Sequence, residues 1–214
     1  MKTRYIGLLI FASLVTANAQ QHPINISSEA NGYWCEGAVN CTTLPYGTHT
    51  YDGVTFHIPG SATTNNFWAA AIAAKGGNAK VSVTIPINVA GVKTVYTLMN
   101  TDWGSTAAGL LSVTFTGSGG ATWTASLRGN INVRDYNNNV YTDAIDCGLP
   151  NGLGNTTTVA AFNNGKGQRL DMQIYELPAS FAGKTLQSIT ITDGGAQGVQ
   201  RSFLAALTVS TNAP

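Results

Sequence analysis

The sequence predicts an all-β protein built as a single antiparallel β-sandwich. Three observations carry this expectation. Gly contributes 24 residues, and together with Thr and Asn it fills roughly a third of the chain, a composition poor for helices and rich in turn and strand formers. Apolar residues recur at every second position over short stretches. Turn signals separate those stretches again and again, which is the pattern of a sandwich or barrel. A hydrophobic fraction of 43% supplies a core, while charged residues make up only 10%, so disorder and helical bundles are both disfavoured. The formal charge of +1 leaves no cationic excess to neutralise phosphates, and nucleic acid is not an expected partner.

Residues 1–19 read as a signal peptide. Lys2 and Arg4 precede the apolar run Ile6 to Val15, and Ala17-Asn18-Ala19 gives the small-x-small cleavage pattern. The run is shorter than the about 20 residues that cross a bilayer, and no later stretch reads as a membrane span. The expected product is secreted or extracellular. Residues 20–47 are polar and weakly periodic, and read as an irregular N-terminal arm. Residues 48–214 read as the β-sandwich domain.

Within that domain, strands are expected near 54–58, 67–73, 80–85, 92–99, 110–116, 121–128, 140–145, 157–162, 171–177, 186–192 and 202–210. Lys80-Val-Ser-Val-Thr-Ile85 and Leu111-Ser-Val-Thr-Phe115 alternate strictly. Trp123, Ala125 and Leu127 share one parity, as do Ile189 and Ile191, and Phe203, Ala205, Leu207 and Val209 share another. Period two sets each group on one face of a strand and leaves Thr and Ser to the other. Val92 to Met99 lacks this alternation and reads as a central strand buried on both faces, with Val95 and Leu98 in the core. Asp52-Gly53, Gly76-Gly77, Gly117 to Gly120, Asn151-Gly152 and Asn163 to Gly165 supply the turns. A short helical turn is expected at Pro178 to Ala182, with Pro opening it.

Export makes a disulfide feasible, and the three cysteines are Cys35, Cys41 and Cys147. Cys35 with Cys41 is the favoured pair, closing a short loop. A pair using Cys147, or three buried thiols, stay open.

The segments Tyr51-Asp-Gly-Val-Thr-Phe-His-Ile-Pro59, Val81 to Pro86, Val92 to Met99, Phe115 to Ala121, Arg134-Asp-Tyr136 and Lys184 to Asp193 follow one another in an order that resembles the galactose-binding-like jelly-roll domains. The resemblance is particularly to carbohydrate-binding modules of secreted glycoside hydrolases, and it extends from about Thr48 to Val209. It implies a jelly-roll sandwich with carbohydrate as the partner.

Sugar binding needs flat apolar surfaces and a few polar groups to fix hydroxyls. The richest stretch is Arg128 to Tyr141, which offers Arg134, Asp135, Tyr136 and Tyr141 in one expected loop. Trp103 lies on a second expected loop, and Arg169 sits directly before a strand. In a jelly roll the loops gather at the ends, so the 100–104 and 130–141 loops are expected to meet. Trp103 would then be a stacking face, with Tyr136 or Tyr141 as a second wall and Arg134 and Asp135 on the hydroxyls. The alternative is that Arg134 and Asp135 pair internally, the aromatics pack under the loops, and Arg169 pairs with Asp171.

A second chemistry overlaps the first. Asp135, Asn137, Asn139, Tyr141, Asp143 and Asp146 fall at the oxygen-ligand spacing of a calcium loop. Val140 stands where such a loop needs Gly, and Asp146 is shorter than the usual Glu, so a polar hairpin is the default. Calcium is the one cofactor in view. Catalytic motifs are thin: His22, His49 and His57 form no His-x-His, and no Gly-x-Ser-x-Gly elbow exists. A non-catalytic carbohydrate-binding module is the leading reading, with a structural or adhesive surface sandwich second. A secreted glycoside hydrolase is third, since a convergent carboxylate pair leaves no trace in one sequence.

Overall fold

The computed structural model describes residues 20–33, 44–61, 63–70, 81–102, 108–137, 145, 154–194 and 201–214. These residues form β1 (Gln21–Ile24), β2 (Gly47–Tyr51), β3 (Val54–Ile58), β4 (Trp68–Ala69), β5 (Val81–Ala90), β6 (Thr94–Asp102), β7 (Ala108–Gly117), β8 (Thr122–Arg128), β9 (Thr156–Asn163), β10 (Arg169–Glu176), β11 (Thr185–Asp193) and β12 (Arg201–Ser210). Two single 3-10 turns, Ser118–Gly120 and Ala179–Phe181, complete the regular structure, the second where Pro178 opens the expected turn. No helix among the described residues is long and apolar enough to cross a membrane. Residues 140–144 of the expected strand near 140–145, and both partners of the expected Cys35–Cys41 disulfide, lie outside the described residues, while Ile145 is in a turn.

All strand pairs are antiparallel. One sheet runs β5-β11-β7-β8. The other has six strands in the order β1-β12-β6-β10-β9, with β4 also pairing along β12. A separate hairpin, β2–β3, turns at Asp52-Gly53, where both residues take positive φ (46° and 78°). Gly tolerates that conformation freely and Asp better than most residues.

Two apolar cores explain why the layers stack. The first fills the space between the two large sheets. Ile85, Val113, Phe115, Leu127, Ile189 and Ile191 come from the four-stranded sheet, and Val95, Met99, Tyr175, Leu204 and Leu207 from the six-stranded one. The second core lies on the other side of the six-stranded sheet. There Val54, Phe56 and Ile58 of the hairpin cover Tyr96, Leu98, Leu170, Met172 and Phe203. The six-stranded sheet is therefore sandwiched between two layers, which is why β6 shows no alternation. Val95 points into the first core and Leu98 into the second, and both are completely buried.

Two expectations need correction. The arm is not wholly irregular, because Gln21–Ile24 pairs with Leu207–Ser210 and extends the six-stranded sheet at its edge. Phe203, Ala205, Leu207 and Val209 do not share a face. Met99 opposes Leu204 and Leu98 opposes Ala206, so Ala205 is an extra residue and the strand bulges. A bulge shifts the side-chain alternation by one. Phe203 and Ala205 consequently face the second core while Leu207 and Val209 face the first.

Candidate functional site

At one end of the six-stranded sheet, β6 leaves at Asp102, β12 enters at Arg201 opposite it, β10 begins at Arg169 and β9 finishes at Asn163. The segment after β8 returns to this same end. It turns sharply on the Arg128 carbonyl, which accepts the backbone N–H groups of Ile131 and Asn132 at 3.2 and 2.9 Å, with Asn130 at φ 62°. Asn is among the few residues that accept this conformation readily. The chain then runs parallel to the end of β6. The Thr101 N–H donates to the Arg134 carbonyl at 2.9 Å, and the Tyr136 N–H donates to the Thr101 carbonyl at 2.8 Å. The Arg169 N–H donates to the Tyr136 carbonyl at 2.8 Å. Thr101 and Asp135 thus form a parallel bridge, and two segments distant in sequence meet at this end.

Beneath this junction lies a buried polar network. The Arg134 guanidinium donates from Nε and Nη2 to the two carboxylate oxygens of Asp171, each at 2.8 Å. Both side chains are essentially without exposure, at 1% and 0%. Asn100 completes the cluster: its Nδ2 donates to Asp171 Oδ2 at 2.7 Å and to the Arg134 carbonyl at 3.3 Å, while its Oδ1 accepts the Asp171 N–H at 2.9 Å. Burial pushes the Asp171 carboxyl above its ordinary range, and the Arg134 guanidinium and Asn100 amide oppose that rise. Two N–H donors on two oxygens is the geometry of an ionised pair. Behind it, Thr97 donates to Gln173, and Gln173 Nε2 donates to the carbonyls of Met99 and Asn132 at 2.9 and 3.2 Å.

These contacts relocate several candidate ligand residues. Arg134 is a buried structural ion, because an unpaired Asp171 inside the sheet would be far costlier than a paired one. Its partner lies 37 residues away, and is not its neighbour Asp135. The Tyr136 ring is 1% exposed and packs edge-on against Phe203 at 5.8 Å, so it belongs to the second core and offers no open wall. Arg169 is 9% exposed, with its charge acting favourably on Asp171. Asp135 and Asn137 stay at the half-buried rim, where Asp135 Oδ1 accepts the Asn137 N–H at 2.8 Å. Trp103 and Tyr141 lie outside the described residues.

Of the six calcium-spaced positions, Asp135 and Asn137 are described, sharing that Asx turn, while Asn139, Tyr141, Asp143 and Asp146 are outside. Among the described residues no group of three or more His, Cys, Asp or Glu is placed to hold a metal. The rim continues into the 163–168 connection. There Asn164 Oδ1 accepts the backbone N–H groups of Lys166 and Gln168, and Asn163 Oδ1 accepts that of Gly165. The end of the sandwich is therefore edged by Asp, Asn, Gln and Lys side chains over an apolar and ion-paired base.

The open face of the four-stranded sheet differs in kind. Ser82 and Thr84, Ser188 to Thr192, Ser112 to Thr116 and Thr122 to Ser126 place hydroxyls in facing rows. Ser82 with Thr192, Thr84 with Thr190 and Thr114 with Thr124 hydrogen-bond across strands at 2.8 to 2.9 Å. These rows carry no ring on which a sugar could stack.

Sequence reasoning missed Asp171 and Asn100 as partners of Arg134. The available signal was their polarity beside apolar neighbours, Asn100 after Leu98 and Met99, and Asp171 between Leu170 and Met172. Compared with protein-family models, with curated proteins and with solved structures, the chain gives no match.

Proposed function

We propose that this chain is an exported, non-catalytic carbohydrate-binding module whose ligand sits at the end of the sandwich, above the junction of β6 with residues 134–137. The observation that carries the reading is the parallel bridge between Thr101 and Asp135. It sets the end of β6, which leads toward Trp103 in the chain, beside residues 134–136 of the stretch that the sequence marks as rich in sugar-binding residue types. Trp103 is the second residue after Thr101 in the chain, and Tyr141 the fourth after Asn137. In this reading they supply the stacking surfaces, and Asp135 and Asn137 supply hydrogen bonds to hydroxyls. Arg134 and Tyr136 support the base from below. The likeness of the chain's segment order to the galactose-binding-like jelly rolls adds to the reading, since loop-end sites suit that architecture.

A glycan array probed with the protein tests the proposal. The expected result is binding to at least one glycan class, weakened at least tenfold by Trp103→Ala, a loss of about 1.4 kcal/mol. A blank array across plant, microbial and animal glycans would overturn it in favour of a structural or adhesive surface module. Turnover of chromogenic glycosides, abolished by one Asp or Glu substitution, would favour a hydrolase.

A further inference from the structure

We infer that Arg134, Asp171 and Asn100 are positioning residues that fix the register of the ligand-bearing end of the sandwich without touching the ligand. The inference rests on the proposed site for its functional consequence, but not for its structural content.

Arg134 is joined to the rest of the fold at both of its ends. Its guanidinium is clamped in two places to Asp171 on β10, and its carbonyl accepts from the Thr101 backbone and the Asn100 side chain on β6. Asn100 in turn holds both the carboxylate and the backbone N–H of Asp171. One compact cluster therefore ties three chain segments together: the end of β6, the start of β10 and the strand-like run 134–136. All three side chains are buried to 1% exposure or less, so none of them can serve as the contact surface. The rim groups Asp135 and Asn137 follow Arg134 directly. Where they point is set by the residue beneath them.

The choice of residues supports positioning over simple stability. A buried ion pair adds little net stability compared with apolar residues of similar volume, because desolvating both ions offsets their attraction. A fork-shaped guanidinium on a carboxylate does fix distance and orientation at once. The sheet could have closed this corner with an aliphatic pair and been as stable. It could not have fixed the angle between the two segments in the same way.

The test separates the two roles. Arg134→Met removes one ion, and Arg134→Met with Asp171→Leu replaces both by apolar groups. Amide exchange is read at Thr101 and Tyr136, whose N–H groups form the bridge, with Ile189 and Ile191 of the other sheet as references. The double variant is expected to recover thermal stability close to that of the original protein. Its Thr101 and Tyr136 amides nevertheless exchange at least tenfold faster while Ile189 and Ile191 are unchanged, and its affinity for a glycan found on the array falls at least tenfold. Recovery of stability, protection and affinity together would overturn the inference, as would a uniform loss of protection across both sheets. Should the double variant fail to fold, Asn100→Ala gives the same readout with the ion pair intact, and unchanged protection at Thr101 and Tyr136 would again overturn it. A blank glycan array defeats the proposed function and leaves the exchange result standing, so the two failures are told apart.

Discussion

The four-stranded sheet buries one face and gives the other to solvent, whereas the central strands of the six-stranded sheet, β6, β10 and β12, are covered on both. The difference decides what a polar residue does in each. On the open face, Thr and Ser hydroxyls meet water and one another, and Thr84 pairs with Thr190 across the strands at no desolvation cost. Inside the covered sheet a polar group gains from a partner, because burying one without a hydrogen bond costs about 1–3 kcal/mol by protein mutational data. Asp171 is accordingly held by Arg134 and Asn100, and Gln173 by Thr97, and the Asp171 cluster lies under the end where β6 meets residues 134–136.

The comparison fails most visibly if the covered sheet tolerates a lone charge. Arg134→Met leaves Asp171 buried without its ion, and the expected destabilisation is about 3–5 kcal/mol in urea unfolding. A loss below 1 kcal/mol would mean the pair is solvated and the sheet open at that end. Leu98→Ala follows, at about 2–5 kcal/mol for a buried leucine against the hairpin. A loss under half a kcal/mol there would place β6 at an edge and remove the second core.

Tyrosine titration sharpens the same contrast through pH. Burial raises Tyr51 to about 12 from 10.0, and burial likewise raises Tyr175, which is completely enclosed in the first core. A raised folded value means that the folded state holds the proton more tightly than the unfolded one. Their contribution is complete below about pH 10 and is lost as pH rises through the folded values. Tyr175→Phe is expected to flatten the alkaline fall in stability measured between pH 10 and 12, and an unchanged slope would contradict the assignment. The smallest effect belongs to the open face. Thr190→Ala should cost no more than about 1 kcal/mol, the range of one cross-strand pair, and a larger loss would show that face to be covered.

The same contrast explains what could be read in advance. The alternation in β5, β7 and β8 follows directly from one dry face and one wet face, so those strands and their inward residues were legible. β6 was legible as central for the opposite reason, its lack of alternation. Legibility ended where pairing depends on distant chain. Gln21–Ile24 is short, contains Pro23 and pairs on one side only, so nothing local marks it as a strand. The extra residue Ala205 carries no signature in Phe203 to Val209, yet it sends the two halves of that strand to different cores. The meeting of the end of β6 with residues 134–136 is of a kind that architecture lets one anticipate. The inward turn of Arg134 and Tyr136 could not, because it is set by a carboxylate and a phenylalanine far along the chain.

The central claim is that ligand binds at the end of the sandwich and not on its open hydroxyl face. Calorimetric titration of an array-identified glycan into three proteins separates the two: the original chain, Trp103→Ala for the proposed end site, and Thr114→Ala with Thr190→Ala on the face. At least a tenfold loss of affinity is expected for the Trp103→Ala variant and less than a twofold change for the face variant. A tenfold loss for the face variant, with Trp103→Ala binding normally, would contradict it.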